Sequence, residues 1–324
     1  MAVKIILEEH FALPETLADS AYYAADGAWP LLERRLIDID GERLDEMDKH
    51  SITMSALSLN APAVQGIRDP ARAIALARKA NDLLAERIAR HPKRFTGLAA
   101  LPMQDPDAAA AELRRCVKEL GFVGALVNGF SELGDCVLYY DDARYLPFWA
   151  EAQALDVPFY LHPRDPLPER TRDYEGHPWF EGPAWAFGVE TAMHALRLMG
   201  SGLFDRYPSL QIILGHLGEG LPYSVWRLDQ RIKKAPRGIP AKKPMAEYLT
   251  SNFYLTTAGN FRMQTLLNAM LEVGSDRILF SVDYPFQDIG WGVAWLDSAS
   301  ISDGDRRKIA GLNAAKLLKL PYLD

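Results

Sequence analysis

The sequence predicts a single (β/α)8 barrel that spans residues 1–324. Three observations lead to this fold class. Eight short apolar runs are rich in strand-forming residues, a helical pattern follows each of them, and no repeat, low-complexity tract or linker interrupts the series. Alternating strands and helices favour a parallel sheet covered by helices, and eight such units suggest a closed barrel. The length agrees, since α/β barrels commonly form one domain of this size.

The eight predicted strands are short apolar segments that end in polar or turn-forming residues. They cover residues 3–11, 54–59, 95–101, 123–127, 157–161, 210–214, 253–257 and 278–282. The chain is organised around the first strand, in which an apolar run ends abruptly in Glu-Glu-His. Alternate residues of a strand share a face, so Glu8 and His10 are expected on one side and Glu9 on the other.

Helices are expected between the strands, and their ends carry start and stop signals. They cover residues 31–50, 70–90, 105–120, 141–155, 184–205 and 303–318, with further helical segments after the sixth and seventh strands. The helix from Pro70 ends before His91-Pro92, because a residue that precedes proline disfavours the helical conformation. Asp105 is expected to cap the next helix, and Gly121 to end it.

Two connections are long enough to carry function. Residues 12–30 contain Tyr22, Tyr23 and Trp29, which are expected either to line a pocket or to cover the core. Residues 163–183 contain several prolines and form a loop whose length is usually functional in a compact domain. We interpret this second connection as a lid.

Composition and charge exclude several classes of protein. The formal net charge of −7 argues against an extended surface for nucleic acid or anionic membranes. The sequence has no apolar run of about 18 residues that would span a membrane, and its first residues form a charged strand rather than a signal peptide. Cys116 and Cys136 are expected to be free thiols in a reducing compartment, so the predicted location is the cytoplasm.

The predicted strand ends carry polar side chains that converge on one mouth of the barrel. They are Glu8, His10, Asn60, Asn128, His162, His216, Thr257 and Asp283. In barrels of this class, the chemistry lies at the carboxyl ends of the strands. Burying a lone carboxylate is costly, and a metal ion is one way to compensate its charge.

One divalent ion is the group that this cluster predicts. Two imidazoles and two carboxylates form a donor set that suits zinc or manganese, and they come from Glu8, His10, His162 and Asp283. His216 is expected to be catalytic or to support the ligands, with Glu219 orienting it. Asp283 is interpreted as a metal ligand or catalytic group, against the alternative of a helix cap.

Four segments resemble the amidohydrolase-related, metal-dependent decarboxylases. They are Glu-x-His in the first strand, His-Pro-Arg at 162–164, Gly-His-Leu-Gly-Glu at 215–219 and Phe-Ser-Val-Asp-Tyr-Pro-Phe at 280–286. The likeness covers nearly the whole chain and is greatest to the γ-resorcylate branch. It implies a (β/α)8 barrel and a carboxy-lyase that reversibly converts an ortho-hydroxybenzoate, here 2,6-dihydroxybenzoate, to resorcinol and CO2 without oxidation.

The resemblance also implies roles for individual residues. The implied ligands of one zinc or manganese ion are Glu8, His10, His162 and Asp283. The implied catalytic pair is His216 and Glu219. As the third catalytic residue we expect Asp283, which would protonate the ring carbon that bears the carboxylate. No organic cofactor is expected, because the protonated ring is itself the electron sink.

Further residues are expected to bind the small aromatic acid. The resemblance implies that Tyr23 and Phe187 are pocket aromatics, and Asn128 at the end of the fourth strand is included with them. It also implies that Arg227 contacts the substrate and can reach across a subunit interface, which predicts a homodimer or homotetramer.

Other substrates and reactions remain open at this stage. The run Asp-Tyr-Pro-Phe-Gln at 283–287 is closer to the 2,3-dihydroxybenzoate enzymes, so 2,3-dihydroxybenzoate and salicylate are alternative substrates. A metal-dependent hydrolase of a lactone or amide is a further alternative, and a metal-stabilised binding protein without catalysis is another. Asn128 stands where dinuclear hydrolases of this class have a carboxylated lysine, which favours the decarboxylase.

Overall fold

The computed structural model describes residues 3–24 and 27–320, apart from the side chain of Pro168. One sheet of eight parallel strands forms its centre, and the strands follow each other in chain order. They are β1 (Ile5–Phe11), β2 (Met54–Leu59), β3 (Phe95–Ala99), β4 (Gly124–Asn128), β5 (Phe159–His162), β6 (Ile212–Leu214), β7 (Phe253–Thr256) and β8 (Ile278–Leu279). The prediction of a (β/α)8 barrel is confirmed.

Helices follow the strands and pack outside the sheet. They are α1 (Trp29–Ile37), α2 (Glu42–Lys49), α3 (Pro70–Arg90), α4 (Pro106–Lys118), α5 (Leu146–Leu155), α6 (Ala186–Gly200), α7 (Leu203–Arg206), α8 (Leu221–Lys234), α9 (Met245–Asn252), α10 (Met263–Val273), α11 (Ile289–Ser298), α12 (Asp303–Arg307) and α13 (Asn313–Leu317). The starts of α3 and α4 match prediction, because the Asp69 and Asp105 side chains accept backbone N–H groups of the first turn.

Two apolar layers hold the barrel together. Residues from the strands meet in one buried cluster that fills the barrel, including Ile5, Leu98 and Ile213. Ala314 and Ala315 of α13 belong to the same cluster and close the end where the strands begin. A larger cluster lies between the sheet and the helices. The apolar filling leaves the carboxyl ends of the strands as the polar end of the barrel.

Two predicted helices are each divided into two in the structure. The run over residues 31–50 divides into α1 and α2, because the Asp38 carboxylate accepts the backbone N–H groups of Gly41 and Glu42. Similarly, the predicted helix over 184–205 divides into α6 and α7. The predicted helix over 303–318 contains a π-helical turn, Lys308–Leu312, between α12 and α13.

The last strand is shorter than predicted. It was expected over 278–282, but it ends at Leu279. Phe280 donates its N–H to the carbonyl of Ile309, and Ser281 donates its N–H to the hydroxyl of Thr257. These two bonds take the chain out of the ladder with β7 before it reaches Asp283.

Several small elements were not predicted. Helices α9 and α11, a short helix at Leu17–Tyr23 and a hairpin of Ser131–Leu133 with Cys136–Leu138 are present. Both cysteines are free, as predicted: Cys116 is buried in α4, and Cys136 is exposed in this hairpin. Among the described helices, none is long and apolar enough to cross a membrane.

Candidate active site

The carboxyl end of β1 places a fully buried carboxylate inside the barrel mouth. The Glu8 Oε2 atom accepts hydrogen bonds from the hydroxyls of Tyr160 and Thr256. The Glu8 Oε1 atom lies 3.3 Å from His162 Nε2 and 3.6 Å from His216 Nε2. Glu8 therefore meets two of the predicted histidines through one oxygen, while its other oxygen is held by the barrel wall.

His10 lies on the same face as Glu8 and is fully buried. Its Nδ1 atom is 3.2 Å from the hydroxyl of Ser58 on β2. Its Nε2 atom lies 3.4 Å from Asp283 Oδ1, and its ring lies 4.7 Å from the ring of His162. The four side chains predicted as metal ligands are thus brought together.

The donor set at this centre fits a divalent metal ion. Ligand atoms of Glu8, His10 and His162 all lie within 4.8 Å of one another. Glu8 Oε1 and His10 Nε2 are buried and have no hydrogen-bond partner among the described residues. Buried polar atoms are normally paired, and a carboxylate with imidazoles suits zinc or manganese. Asp283 adjoins this group through His10.

The electrostatics of the cluster separate its two carboxylates. Burial opposes the charge of Glu8, but His216, His162 and His10 outweigh burial and lower its pKa well below the usual range. Burial raises the pKa of Asp283 to about 8, and the negative charge of Glu8 adds to that shift. Burial also lowers the pKa of His10 to about 4 and lowers the pKa of His162, so both imidazoles are neutral, as metal ligands are.

His216 stands on an unusual loop after β6. The φ angles of His216, Leu217 and Glu219 are 52°, 58° and 53°, which is the left-handed region. This turn brings Glu219 Oε1 to 2.7 Å from His216 Nδ1 and leaves His216 Nε2 directed towards Glu8. Burial lowers the pKa of His216, but Glu219 and Glu8 outweigh burial and raise it to about 10.

A cavity of about 420 Å³ opens above these groups. His162, His216 and Asp283 line its floor, and Tyr23 and Phe187 are among its apolar walls. The rings of Tyr23 and Phe187 lie 5.1 Å apart at 69°, and the Tyr23 hydroxyl donates to Asp165. A polar floor under aromatic walls suits a small aromatic acid.

Comparison with known proteins places the chain in a family. The model of the amidohydrolase family matches residues 10–320. The chain belongs to the amidohydrolase family. It is 62% identical over 322 residues to the gamma-resorcylate decarboxylase of Polaromonas sp. (strain JS666 / ATCC BAA-500), with 98% of both chains covered. It is 59% identical over 327 residues to that of Rhodococcus jostii (strain RHA1), with 99% of both covered.

Solved structures of the amidohydrolase family agree with these relatives. A dihydroxybenzoic acid decarboxylase of Polaromonas sp. JS666, with bound manganese and the inhibitor 2-nitroresorcinol, has a TM-score of 0.97 at 60% identity, covering 99% of this chain and 98% of that one. A 2,6-dihydroxybenzoate decarboxylase complexed with 2,6-dihydroxybenzoate has a TM-score of 0.97 at 57% identity, covering 99% and 100%. The resemblance to decarboxylases is confirmed.

Two predicted substrate-binding residues of this amidohydrolase lie away from the cavity wall. Asn128 is buried, and its side chain donates to the carbonyls of Asn60 and Pro62. It therefore holds the loop after β2. Arg227 lies on α8 and is exposed to solvent. Neither residue is among the described residues that line the cavity.

Some residues of the site were missed by sequence reasoning. Tyr160 supports Glu8 from inside β5, and the alternation of a strand, which places Tyr160 beside His162, was a usable signal. Ser58 on β2 supports His10 by the same logic. Arg35 lines the cavity and pairs with Glu42, and its place depends on the break between α1 and α2, for which Asp-Ile-Asp-Gly at 38–41 was a usable turn signal.

Proposed function

We propose that this protein reversibly decarboxylates 2,6-dihydroxybenzoate to resorcinol and CO2 without oxidation. The main support is the small aromatic-walled cavity whose floor joins the Glu8–His10–His162 group to Asp283 and His216. Relatives at 58–62% identity over nearly the full chain are named gamma-resorcylate decarboxylases. One continuous eight-stranded sheet further supports a single domain over the whole chain.

The cofactor of the proposed reaction is one divalent metal ion. Glu8, His10 and His162 would hold it together with Asp283, and manganese is the ion in the Polaromonas structure. Bound there, the ion would supply positive charge for the carboxylate and the ortho oxygen of the substrate. We propose manganese or zinc, and no organic cofactor.

Asp283 is proposed to move the proton. It faces the cavity from the floor, and it would become protonated as the ligand set reorganises around the substrate, which its burial favours by raising its pKa. The proton goes to the ring carbon that bears the carboxylate. The bond from that carbon to the carboxylate then breaks, and its electron pair restores the aromatic ring as CO2 leaves.

His216 and Glu219 are proposed to serve this proton transfer. The 2.7 Å contact from Glu219 fixes the orientation of His216, whose Nε2 faces the polar centre. From there the positive charge of His216 offsets the negative charge of Asp283, and His216 returns a proton to Asp283 after each turnover. Tyr23 and Phe187 enclose the ring of the substrate and limit the access of water.

A homo-oligomer is proposed from the surface around Arg227. Tyr223 and Trp226 precede it on α8 and are 85% and 71% exposed. Large aromatic side chains at this exposure are typical of protein interfaces. A second copy of the chain that covers α8 would bring Arg227 to the mouth of a neighbouring site, in a dimer or tetramer.

Loss of 2,6-dihydroxybenzoate, followed by ultraviolet absorbance, tests the proposed function. Protein reconstituted with manganese or with zinc is expected to convert it to resorcinol, and bicarbonate is expected to drive the reverse reaction. If metal is bound and 2,6-dihydroxybenzoate is stable, turnover of 2,3-dihydroxybenzoate or salicylate would reassign the substrate. Failure on all three acids would contradict the decarboxylase and favour hydrolysis of a lactone or amide.

A further inference from the structure

The seam between the last and first strands passes directly beside the active site. Here side chains supplement the backbone bonds of the barrel. The Ser281 hydroxyl accepts the N–H groups of Leu7 and Glu8, at 3.2 and 2.6 Å, and donates to Glu9 Oε1 at 3.0 Å. The N–H of His10 donates to the carbonyl of Tyr284 at 2.7 Å. The backbone that carries Glu8 and His10 is thus joined to the segment that carries Asp283.

Glu9 binds both chain neighbours of Asp283. Its Oε1 atom accepts the N–H of Val282 at 3.0 Å, and its Oε2 atom accepts the N–H of Tyr284 at 2.9 Å. Asp283 itself has a φ of 79°, a conformation that residues other than glycine rarely adopt. Such a conformation persists only when the surrounding structure holds it. One carboxylate therefore fixes the backbone on both sides of a strained residue.

Glu9 is not among the described residues that line the cavity. It is fully buried and lies on the face of β1 opposite to Glu8 and His10. Arg43 supplies a buried positive charge nearby: it donates to the carbonyl of His10, and its guanidinium lies 4.7 Å from the ring of Tyr284. Burial raises the pKa of Glu9 to about 8, while the N–H groups of Val282 and Tyr284 and the charge of Arg43 oppose that shift from outside the cavity.

We propose that Glu9 is a positioning residue for the reaction, because its carboxylate holds the backbone that aims Asp283 at the cavity. The inference rests on the proposed role of Asp283 in proton transfer. It assigns Glu9 to the turnover step rather than to binding of the substrate, because its hydrogen bonds go to Ser281, Val282 and Tyr284 rather than to Tyr23 or Phe187. Small displacements of a reacting group are enough to reduce a rate strongly.

The substitution Glu9→Gln tests this role. The amide keeps the size of the side chain, but its NH2 group must face a backbone N–H that now has no acceptor. We expect kcat for 2,6-dihydroxybenzoate to fall by at least about tenfold, with KM within about twofold and the metal content unchanged. A crystal structure of the variant is expected to show a changed φ at Asp283, a result that does not depend on the substrate.

Glu112→Gln is the matched control. Glu112 is also a buried glutamate, held by Asn81 and Arg115 between α3 and α4 and remote from the cavity. The control is expected to lower thermal stability while kcat stays at the wild-type value. If Glu9→Gln behaves in the same way, Glu9 only stabilises the barrel and the proposal is wrong.

A double-mutant cycle separates positioning from general damage. In an Asp283→Asn background, Glu9→Gln is expected to cause no further loss of kcat, because the group that it positions is already absent. Additive losses would overturn the proposal.

If Glu9→Gln does not fold, Glu9→Asp takes its place: the shorter carboxylate reaches only one of the two N–H groups, so kcat should fall while KM is kept. If the wild-type protein is inactive on all three acids, the proposed function fails by itself, and the φ of Asp283 in the variant still decides the positioning.

Discussion

At the scale of single residues, the site depends on two carboxylates in opposite environments. Glu8 faces three imidazoles, which lower its pKa despite complete burial. Burial raises the pKa of Asp283 to about 8, and the nearby negative charge of Glu8 adds to that shift. Paired carboxylates whose pKa values are driven apart commonly divide the roles of anion and acid. Glu8 is thus suited to hold a cation, and Asp283 to carry a proton.

The substitution Asp283→Asn tests this division. The amide has nearly the same shape but cannot transfer a proton, so kcat is expected to fall by about 100-fold or more. Glu8, His10 and His162 remain, and the bound manganese per subunit, measured by elemental analysis, is expected to stay close to one. A normal rate of decarboxylation with metal bound would show that another group delivers the proton.

At the scale of elements, the strand ends were predictable and the helix ends were less so. Parallel strands of a barrel all end at one mouth, so Glu8, His162 and His216 converge even if a strand boundary is wrong by two residues. The break at Asp38 depends on one side chain capping α2, and the early end of β8 depends on Ile309, which is distant in sequence. Contacts of that kind leave no periodic pattern in the sequence.

The loop after β5 is the element whose predicted role remains to be tested. It contains three short helical turns, Pro168–Tyr174, Pro178–Phe180 and Gly182–Ala184. Two adjacent tyrosines bind it from the opposite side of the cavity: Tyr22 donates to Glu181 at 2.9 Å, and Tyr23 donates to Asp165. These two bonds attach the loop to the Leu17–Tyr23 segment, and Arg170 attaches it to Glu190 of α6 at 3.0 Å.

Replacing both tyrosines with phenylalanine is expected to loosen this loop. The lost hydrogen bond of the half-buried Tyr23 costs about 0.5–1.5 kcal/mol and that of the exposed Tyr22 adds little, so amide exchange over residues 165–184 should accelerate about 2- to 12-fold in hydrogen-exchange measurements. KM for the acid should rise, while metal content stays constant. Tyr207→Phe is the control, because its hydroxyl donates to Leu146 outside the loop. Unchanged exchange in the double variant would exclude the two bonds as the loop's attachment.

At the scale of the whole molecule, Arg227 provides a test of assembly. If it acts on a neighbouring subunit, Arg227→Ala and Asp283→Asn proteins should each be inactive yet complement each other when their subunits are mixed. In randomly mixed dimers, about a quarter of the sites would combine an intact Asp283 with an intact Arg227 from the partner. Activity of that size after mixing is the expected result. No recovery, with mixed oligomers demonstrated, would place Arg227 outside the neighbouring site.

The stability of the whole fold is expected to depend on pH through His194. This residue is buried in α6, and its Nε2 atom accepts the N–H of Tyr140 at 3.1 Å. Burial lowers its pKa to about 3, and the charge of Arg197 adds to the shift. The rings of Tyr139 and Tyr140 lie 4.9 and 4.8 Å from its ring. Among the described residues, no carboxylate contacts the His194 ring to favour its charged form.

The sign of the effect follows from the two pKa values. In the unfolded chain His194 has an ordinary pKa of about 6.5, so below that pH the unfolded state binds a proton that the folded state does not. The contribution of His194 to the free energy of unfolding is fully present above pH 6.5 and is lost at about 1.4 kcal/mol per pH unit as the pH falls towards 3.

His194→Gln keeps an acceptor for Tyr140 but has no titrating group. The variant should therefore lose less thermal stability than the wild type between pH 6.5 and 4, whereas His177→Gln, in the exposed loop, should follow the wild type. Parallel curves for all three proteins would show that His194 is not the buried group that acid must charge.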